Sequence, residues 1–274
     1  MIAQTSISRE FMIRLEQQES AYWRDYYRDV PERVAKRLGV SLLDTGTASA
    51  GAVAGIDVLA FNRALGLGME QPATESDVDG IIAFFRDAGA RRFFVQLSPH
   101  AQPRNLPEIL QAKGFRYYNN WVKLFRRIEP LPAAETQLSI ARIGRERADI
   151  FAEIIVRAFG WPEALKPLIA LPVGRPGWQH YLAYEGEKPA ACAALFTQEE
   201  YAALAFAAAL PEYRGRGAQS ALIARRFRDA AAAGCRWMIT ETAEEAPGRP
   251  VASYRNMLRQ GFEVAYRRAN YILG

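Results

Sequence analysis

Pro211-Glu212-Tyr213-Arg214-Gly215-Arg216-Gly217-Ala218-Gln219-Ser220-Ala221-Leu222 is the stretch on which the reading of this chain turns. A small, mostly apolar run, Ala202 to Leu210, precedes it, and a helical pattern, Ser220 to Ala233, follows it. The segment reads as strand, glycine-rich turn and helix. Such a turn leaves several backbone N–H groups unpaired at the positive end of a helix, where they can cradle a phosphate or pyrophosphate. Arg214 and Arg216 add two cations for the same anion. Gly215 and Gly217 permit backbone angles that other residues resist and keep side chains out of a ligand's way. The plainer alternative is an Arg/Gly surface turn that caps an ordinary helix.

The pattern excludes two common phosphate sites. No GxxxxGK[ST] run occurs, so there is no P-loop. A dinucleotide fingerprint needs GxGxxG at the first strand–helix junction, with an acidic residue about twenty positions on. Here Gly215-x-Gly217 stands alone, deep in the chain.

Tyr213-Arg214-Gly215-Arg216-Gly217-Ala218, followed by Leu222, resembles motif A of the GNAT superfamily of acetyl-CoA-dependent N-acyltransferases. That motif has the form Arg/Gln-x-x-Gly-x-Gly/Ala. Arg214 and Gly217 match its first and fourth positions, and Gln219 departs from its sixth while retaining a backbone N–H. The resemblance implies acetyl-CoA as acyl donor, its pyrophosphate held by the amides of about Arg216 to Ser220. It also implies that the strand before Pro211, including Ala209 and Leu210, splays from its neighbour and pairs with pantetheine.

The 274 residues suffice for one large domain or two of about half that length. Half of them are hydrophobic, and the formal charge of +5 suits an anionic ligand while being too mild to argue for nucleic acid. Two cysteines in apolar surroundings, Cys192 and Cys235, read as buried free thiols. His100 and His180 are too few and scattered for a metal site. No run reaches the ~18 apolar residues of a membrane span, and the N-terminus does not read as a signal peptide, so a cytoplasmic enzyme is expected.

The chain divides near Glu129 to Thr136, a Pro-containing linker. The expectation is an α/β protein of two GNAT-like domains, each a mixed twisted sheet flanked by helices: residues 1–130 and 136–274. In the second, strand, helix, two strands around Gly186-Glu-Lys-Pro, the strand before Pro211, helix, strand and helix follow in order. A final strand pair, Glu263 to Arg268 with Asn270 to Leu273, is expected after Gly261-Phe262. The first half carries an echo. Helix Val78 to Ala88, strand Arg91 to Leu97, helix Asn105 to Ala112 and Gly114-Phe115 repeat the later order about 147 residues earlier, which suggests duplication. Its phosphate turn is missing. Ile56 to Asn62 is the candidate strand before it, and the run from Arg63 to Pro72 is poor in cations. This half reads as a degenerate GNAT domain without CoA binding; two unrelated α/β halves, or one merged domain, remain as alternatives. Residues 8 to 29, rich in aromatics, are expected to pack as the first helix or helix pair of this domain, with a lid over the acceptor cleft as a second option.

Acetyl transfer to an amine needs a neutral nucleophile, a polarised thioester carbonyl and a proton for the departing thiolate. The carbonyl donor is expected near Ala209. The resemblance puts the thiolate's proton donor on a Tyr four residues before Gly-Phe. That position is Met257, so Tyr254 one turn earlier, or Tyr266, takes its place. Ser253 and Asn256 are placed to contact pantetheine. Glu241, at the end of the strand after the long helix, is the leading general base; Glu244 and Glu245 read as a solvated loop. Trp161, Trp178 and Tyr181 line an acceptor pocket or belong to the core. The acceptor is a small-molecule or peptide amine, with no nucleic acid or membrane partner. A CoA-binding sensor without turnover and a phosphate- or nucleic-acid-binding module remain as other classes.

Overall fold

Runs of Ala, Val, Leu and aromatics bounded by Gly and Pro become strands, and segments with 3.6-residue apolar spacing become helices. The computed structural model describes residues 7–246, 248 and 250–274. In chain order the elements are α1 (Arg9–Tyr27), α2 (Glu32–Leu38), β1 (Val40–Asp44), β2 (Ser49–Val53), β3 (Arg63–Leu65), α3 (Glu75–Asp87), β4 (Phe93–Leu97), α4 (Leu106–Ala112) and β5 (Arg116–Arg127). Then come β6 (Ser139–Ile143), α5 (Ala148–Phe159), α6 (Lys166–Ala170), β7 (Trp178–Glu185), β8 (Lys188–Gln198) and β9 (Tyr201–Ala209). The chain ends with α7 (Ala218–Ala232), β10 (Trp237–Ala243), α8 (Ala252–Arg259) and β11 (Glu263–Leu273).

The strands form one mixed sheet in the order β1-β2-β3-β4-β11-β5-β10-β9-β8-β7-β6. The two halves of the chain therefore share a sheet, and their last strands are exchanged. β11 pairs antiparallel with β4 of the first half, and β5 pairs antiparallel with β10 of the second. β11 and β5 pair with each other at the centre. The expected final strand pair is instead the single strand β11. Both edges of β11 are filled, by β4 and β5, which keeps the chain extended through Arg268-Ala269-Asn270. Register shifts at Val264/Tyr266 and Asn270/Tyr271 absorb the irregularity.

The duplication is visible in the helix endings. Gly114 and Gly261 both have positive φ, +91° and +79°. The Phe115 amide donates to the Leu110 carbonyl at 3.0 Å, and the Phe262 amide to Met257 at 3.1 Å, each five residues back. Both rings are 3% exposed. Two other expectations changed. Ile56 to Asn62 is a turn with a short 3-10 segment, and the strand is β3, starting at Arg63. The aromatic helix α1 packs on both halves: the Tyr26 hydroxyl donates to the Leu168 carbonyl at 3.1 Å, and Trp178 Nε1 to Asp25 at 2.7 Å.

Strand alternation separates the two faces of the second half. Ile239 joins a core with α1, α5 and α6 residues, whereas Met238 joins Leu222 and Phe227 of α7 and Phe262 beyond α8. β3 lies four places from β10, about 19 Å along a flat sheet. Yet Arg63 and Glu241 meet at 2.7 Å, so the sheet curls around α1. Cys192 and Cys235 are buried free thiols.

Candidate active site

Strand β9 and helix α7 position the turn read first in the sequence. Gly215 and Gly217 have φ of +78° and +76°, a region that favours glycine. A Cβ on Gly215 would meet nothing within 4 Å, so its outer face is open. A Cβ on Gly217 would lie 2.6 Å from the Glu135 carbonyl oxygen. The linker is fixed there, with Thr136 Oγ1 donating to the Arg216 carbonyl at 3.0 Å. No side chain caps α7, whose N-cap is Gly217. The amides of its first turn, from Ala218 through Gln219 and Ser220, thus lack intrahelical acceptors. Arg214 and Arg216 are exposed. Arg216 pairs with Glu185, both about half exposed; such a pair holds by only ~0–1 kcal/mol and yields readily to a more highly charged anion. The residues present fit a diphosphate: free amides, a glycine cradle and two cations.

β9 and β10 run parallel only at Tyr201–Trp237, Ala202–Met238 and Ala203–Ile239. Beyond that they diverge, and β9 from Ala205 onward keeps its partner β8 on one edge while the other edge stands open. Ala209 pairs with Ala191, and the Leu210 amide donates to the Ala190 carbonyl at 3.0 Å. A bulge marks the divergence: the register slips between Ala193 and Ala194, and Phe206 opposite has φ of +22°. The buried Arg226 of α7 donates to the Ala194 carbonyl at 3.1 Å, pinning the bulge from beneath.

The divergent half of β10 sends alternate side chains to opposite faces. Thr242 Oγ1 lies 2.5 Å from Ser253 Oγ of α8. Tyr254 and Met257 of α8 pack against the core on that same face. Asn256 is half-buried and accepts weakly from Arg259 at 3.5 Å. Glu241 points the other way, under α1. It contacts Arg63 at 2.7 Å and accepts from Arg268. Burial pushes its carboxyl up to about 7; Arg63 pulls down, the Glu19 carboxylate beside it pushes up, and Arg268 pulls down. Glu241 and Tyr254 thus flank the divergence of β9 and β10 from opposite faces of the sheet.

Sequence reasoning missed the groups around Glu241. Arg268 also bonds Glu16 and Glu19 of α1, at 3.0 and 2.9 Å, and Lys123 pairs with Glu19. Burial opposes ionisation of Glu19, but Arg268 and Lys123 overcome it and hold its carboxyl well below the usual range. Tyr266, an alternative proton donor in the sequence reading, donates to Glu16 at 2.6 Å in this buried cluster, away from α8. Glu244 and Glu245 are tied to Arg267 and Arg255. Of the three aromatics offered for an acceptor pocket, Trp178 and Tyr181 are core. Trp161 is half-buried and stacks on the exposed Phe159 with centroids 4.6 Å apart. The available signal for the cluster was Glu16 and Glu19, one turn apart on the aromatic face of α1.

Residues 148–252 match the model of the acetyltransferase (GNAT) family. No curated protein matches the sequence. A GCN5-related N-acetyltransferase from Kribbella flavida superposes with a TM-score of 0.60 at 16% identity, covering 93% of this chain and 94% of that one. A GCN5-related N-acetyltransferase from Sphaerobacter thermophilus gives 0.58 at 11% identity, covering 97% and 93%. A tandem GNAT protein from the clavulanic acid biosynthesis pathway gives 0.59 at 14% identity, covering 94% and 95%. Across most of its length, from the exchanged central strands to the uncapped turn before α7, the chain has the fold of the GNAT-superfamily acyltransferases.

Proposed function

We propose that this protein is an N-acyltransferase that moves an acetyl group from acetyl-CoA to a primary amine of a small-molecule or peptide acceptor. In this reading residues 136–274 form the catalytic unit and residues 1–130 a degenerate one. A cytoplasmic location belongs to the same reading; among the described residues no helix is long and apolar enough to cross a membrane. The observation that carries the proposal is the uncapped Gly-x-Gly turn at the head of α7, beside a strand whose edge opens after Ala203.

Acetyl-CoA, when bound, supplies an activated thioester. The amides of Gly215 to Ser220, with Arg214 and Arg216, hold its diphosphate. The open edge of β9 through Ala209 and Leu210 aligns pantetheine, with Ser253 and Asn256 of α8 beside it. Glu241 accepts the proton that the amine loses as its nitrogen bonds to the acyl carbon. Tyr254 gives a proton to the sulfur as the carbon–sulfur bond breaks. Products are the amide and free CoA thiol.

Calorimetric titration with acetyl-CoA tests binding, and an amine panel assayed from pH 6 to 9 tests turnover. Loss of a general acid or base typically costs 10²- to 10⁴-fold. Glu241→Gln and Tyr254→Phe should each lower kcat on that scale with acetyl-CoA affinity nearly unchanged. The base is active when ionised, so the rate should rise as pH passes through about 7, where burial has moved the Glu241 carboxyl. Wild-type kcat in both variants would remove these roles. A second reading, a CoA-binding protein without turnover, draws on Met257 at the expected donor position and on the two guanidinium groups that engage Glu241. It predicts acetyl-CoA binding with no acyl transfer to any amine in the panel.

A further inference from the structure

Glu241, in the second half, is where charged groups of the first half converge. Glu241 sits on β10, and the groups that face it come mostly from elsewhere: Glu16, Glu19 and Tyr22 of α1, Arg63 of β3, Lys123 of β5, and Tyr266 and Arg268 of β11. Lys123 stands opposite Glu241 in the β10–β5 register, and Tyr266 opposite Lys123 in the β5–β11 register. Three carboxylates and three cations therefore share one buried site, and their charges balance when all are ionised.

Arg63 is held firmly. Its Nη1 donates to Gln96 Oε1 at 2.8 Å and meets Glu241 at 2.7 Å. Its guanidinium carbon lies 4.5 Å from the Trp23 ring centroid and 5.1 Å from that of Trp121. Flanked by two indoles, it has no room to swing aside. Glu19 takes one Arg268 nitrogen and Lys123, while the other Arg268 nitrogen reaches both Glu19 and Glu241. Glu19 thus competes with Glu241 for one cation. A buried network of this kind is costly when half satisfied and specific when complete.

We propose that Arg63 and Glu19, both from the first half, are positioning residues for Glu241, Arg63 clamping its carboxylate from one side and Glu19 drawing Arg268 away from the other. The proposal rests on Glu241 being the base only for its catalytic meaning; its electrostatic content stands on the geometry alone. The two residues act with opposite sign. Removing Arg63 takes away a favourable partner of the ionised carboxylate, so Glu241 should hold its proton to higher pH. Neutralising Glu19 removes a like charge and frees Arg268, so Glu241 should release its proton at lower pH.

The test uses the full chain, labelled with ¹³C at the glutamate side-chain carboxyl and titrated by NMR from pH 4 to 10. The Glu241 resonance is assigned by its loss in Glu241→Gln. Expected is a midpoint near 7 in the wild type. It should move up by about one pH unit in Arg63→Gln and down by about one in Glu19→Gln, the scale of a charge within ~4–6 Å. Arg63→Lys, which keeps the charge, should return most of the shift. A merely structural role would admit water in both variants and move both midpoints down. Shifts in the same direction, or none, overturn the proposal. If Arg63→Gln does not fold, Glu19→Gln and the charge-preserving Glu19→Asp decide together: the midpoint should fall in Glu19→Gln and stay near the wild-type value in Glu19→Asp, and an equal fall in both, or none in Glu19→Gln, overturns the proposal. Glu241→Gln with full transferase activity beside opposite shifts would remove the base role and leave the wiring in place.

Discussion

Two Gly-x-Gly turns stand at corresponding places in the two halves, and only one is open. Gly66-Leu67-Gly68 follows β3, and Gly215-Arg216-Gly217 follows β9. All four glycines have φ between +73° and +78°. The backbone has been kept and its surroundings changed. In the first turn Leu67 and Met69 are 1% exposed, and a Cβ on Gly68 would overlap the Gln102 carbonyl oxygen. The Gln102 amide donates to Gly68 at 2.8 Å, so a neighbouring loop fills the hollow. In the second turn the linker closes on Gly217 in the same way, with the Glu135 carbonyl oxygen 2.6 Å from an added Cβ, but the intervening residue is an exposed arginine and Gly215 has free space. The following helices differ as well. α3 begins only at Glu75 and is closed by a capping box, with Thr74 and Asp77 each satisfying the other's backbone amide. α7 begins at once and has no cap. A positive-φ turn becomes an anion site only where the helix behind it has left its amides unclaimed.

The largest expected effect that separates the turns is on stability. Leu67→Ala empties the plugged turn of a side chain that is 1% exposed, a change that costs ~2–5 kcal/mol, and denaturant unfolding should register it. Arg216→Ala, at the matching place in the open turn, should lose only ~0–1 kcal/mol, the worth of its exposed pair with Glu185. Equal losses would break the contrast. Next comes Gln219→Glu, which sets a carboxylate in the uncapped first turn of α7. Acidic residues there favour the helix by ~0.3–1 kcal/mol, so Tm should hold or rise. Acetyl-CoA affinity, read by calorimetry, should fall about 10- to 100-fold, because the new charge faces a diphosphate. Arg214→Ala should cost a similar or smaller amount, about 1–2 kcal/mol of binding, since it removes one charge-assisted contact and leaves the amides in place.

The open turn was legible because local chemistry dictates it: two glycines, two arginines and a helix start lie within ten residues. Gly114-Phe115 and Gly261-Phe262 announced the repeat for the same reason, since a helix ending on a positive-φ glycine is written in sequence. The strand exchange was not legible. Whether β11 turns back on itself or pairs with β4 is decided by which edges lie near it in space, and Arg267-Arg268-Ala269 reads the same either way. The plugged turn escaped notice because Gln102 and Leu106, which fill it, lie over thirty positions away. The environment of Glu241 was hidden likewise: Glu16, Glu19, Arg63, Lys123 and Arg268 come from four elements, and only folding brings them together.

The smallest effect probes the claim that α3 is closed by its own side chains. Thr74→Ala removes the hydroxyl that accepts from the Asp77 amide at 3.2 Å. Loss of such a cap typically costs ~0.5–2 kcal/mol, and acetyl-CoA affinity should not change, since this helix contributes nothing to the open turn. The Thr74 backbone amide, and then its hydroxyl, hold the Asp77 carboxyl below the usual aspartate range. A depressed carboxyl contributes stability that is present above its unfolded value, near 3.8, and is lost as pH falls through the lower folded value. Unfolding measured from pH 7 down to pH 2 should therefore show part of the acid loss in the wild type missing from Thr74→Ala. The difference should be small because Asp77 is only half-buried. Parallel acid profiles would mean that the capping box does not hold the charge. Any weakening of acetyl-CoA binding in Thr74→Ala would mean that the first half does contribute to the cofactor site.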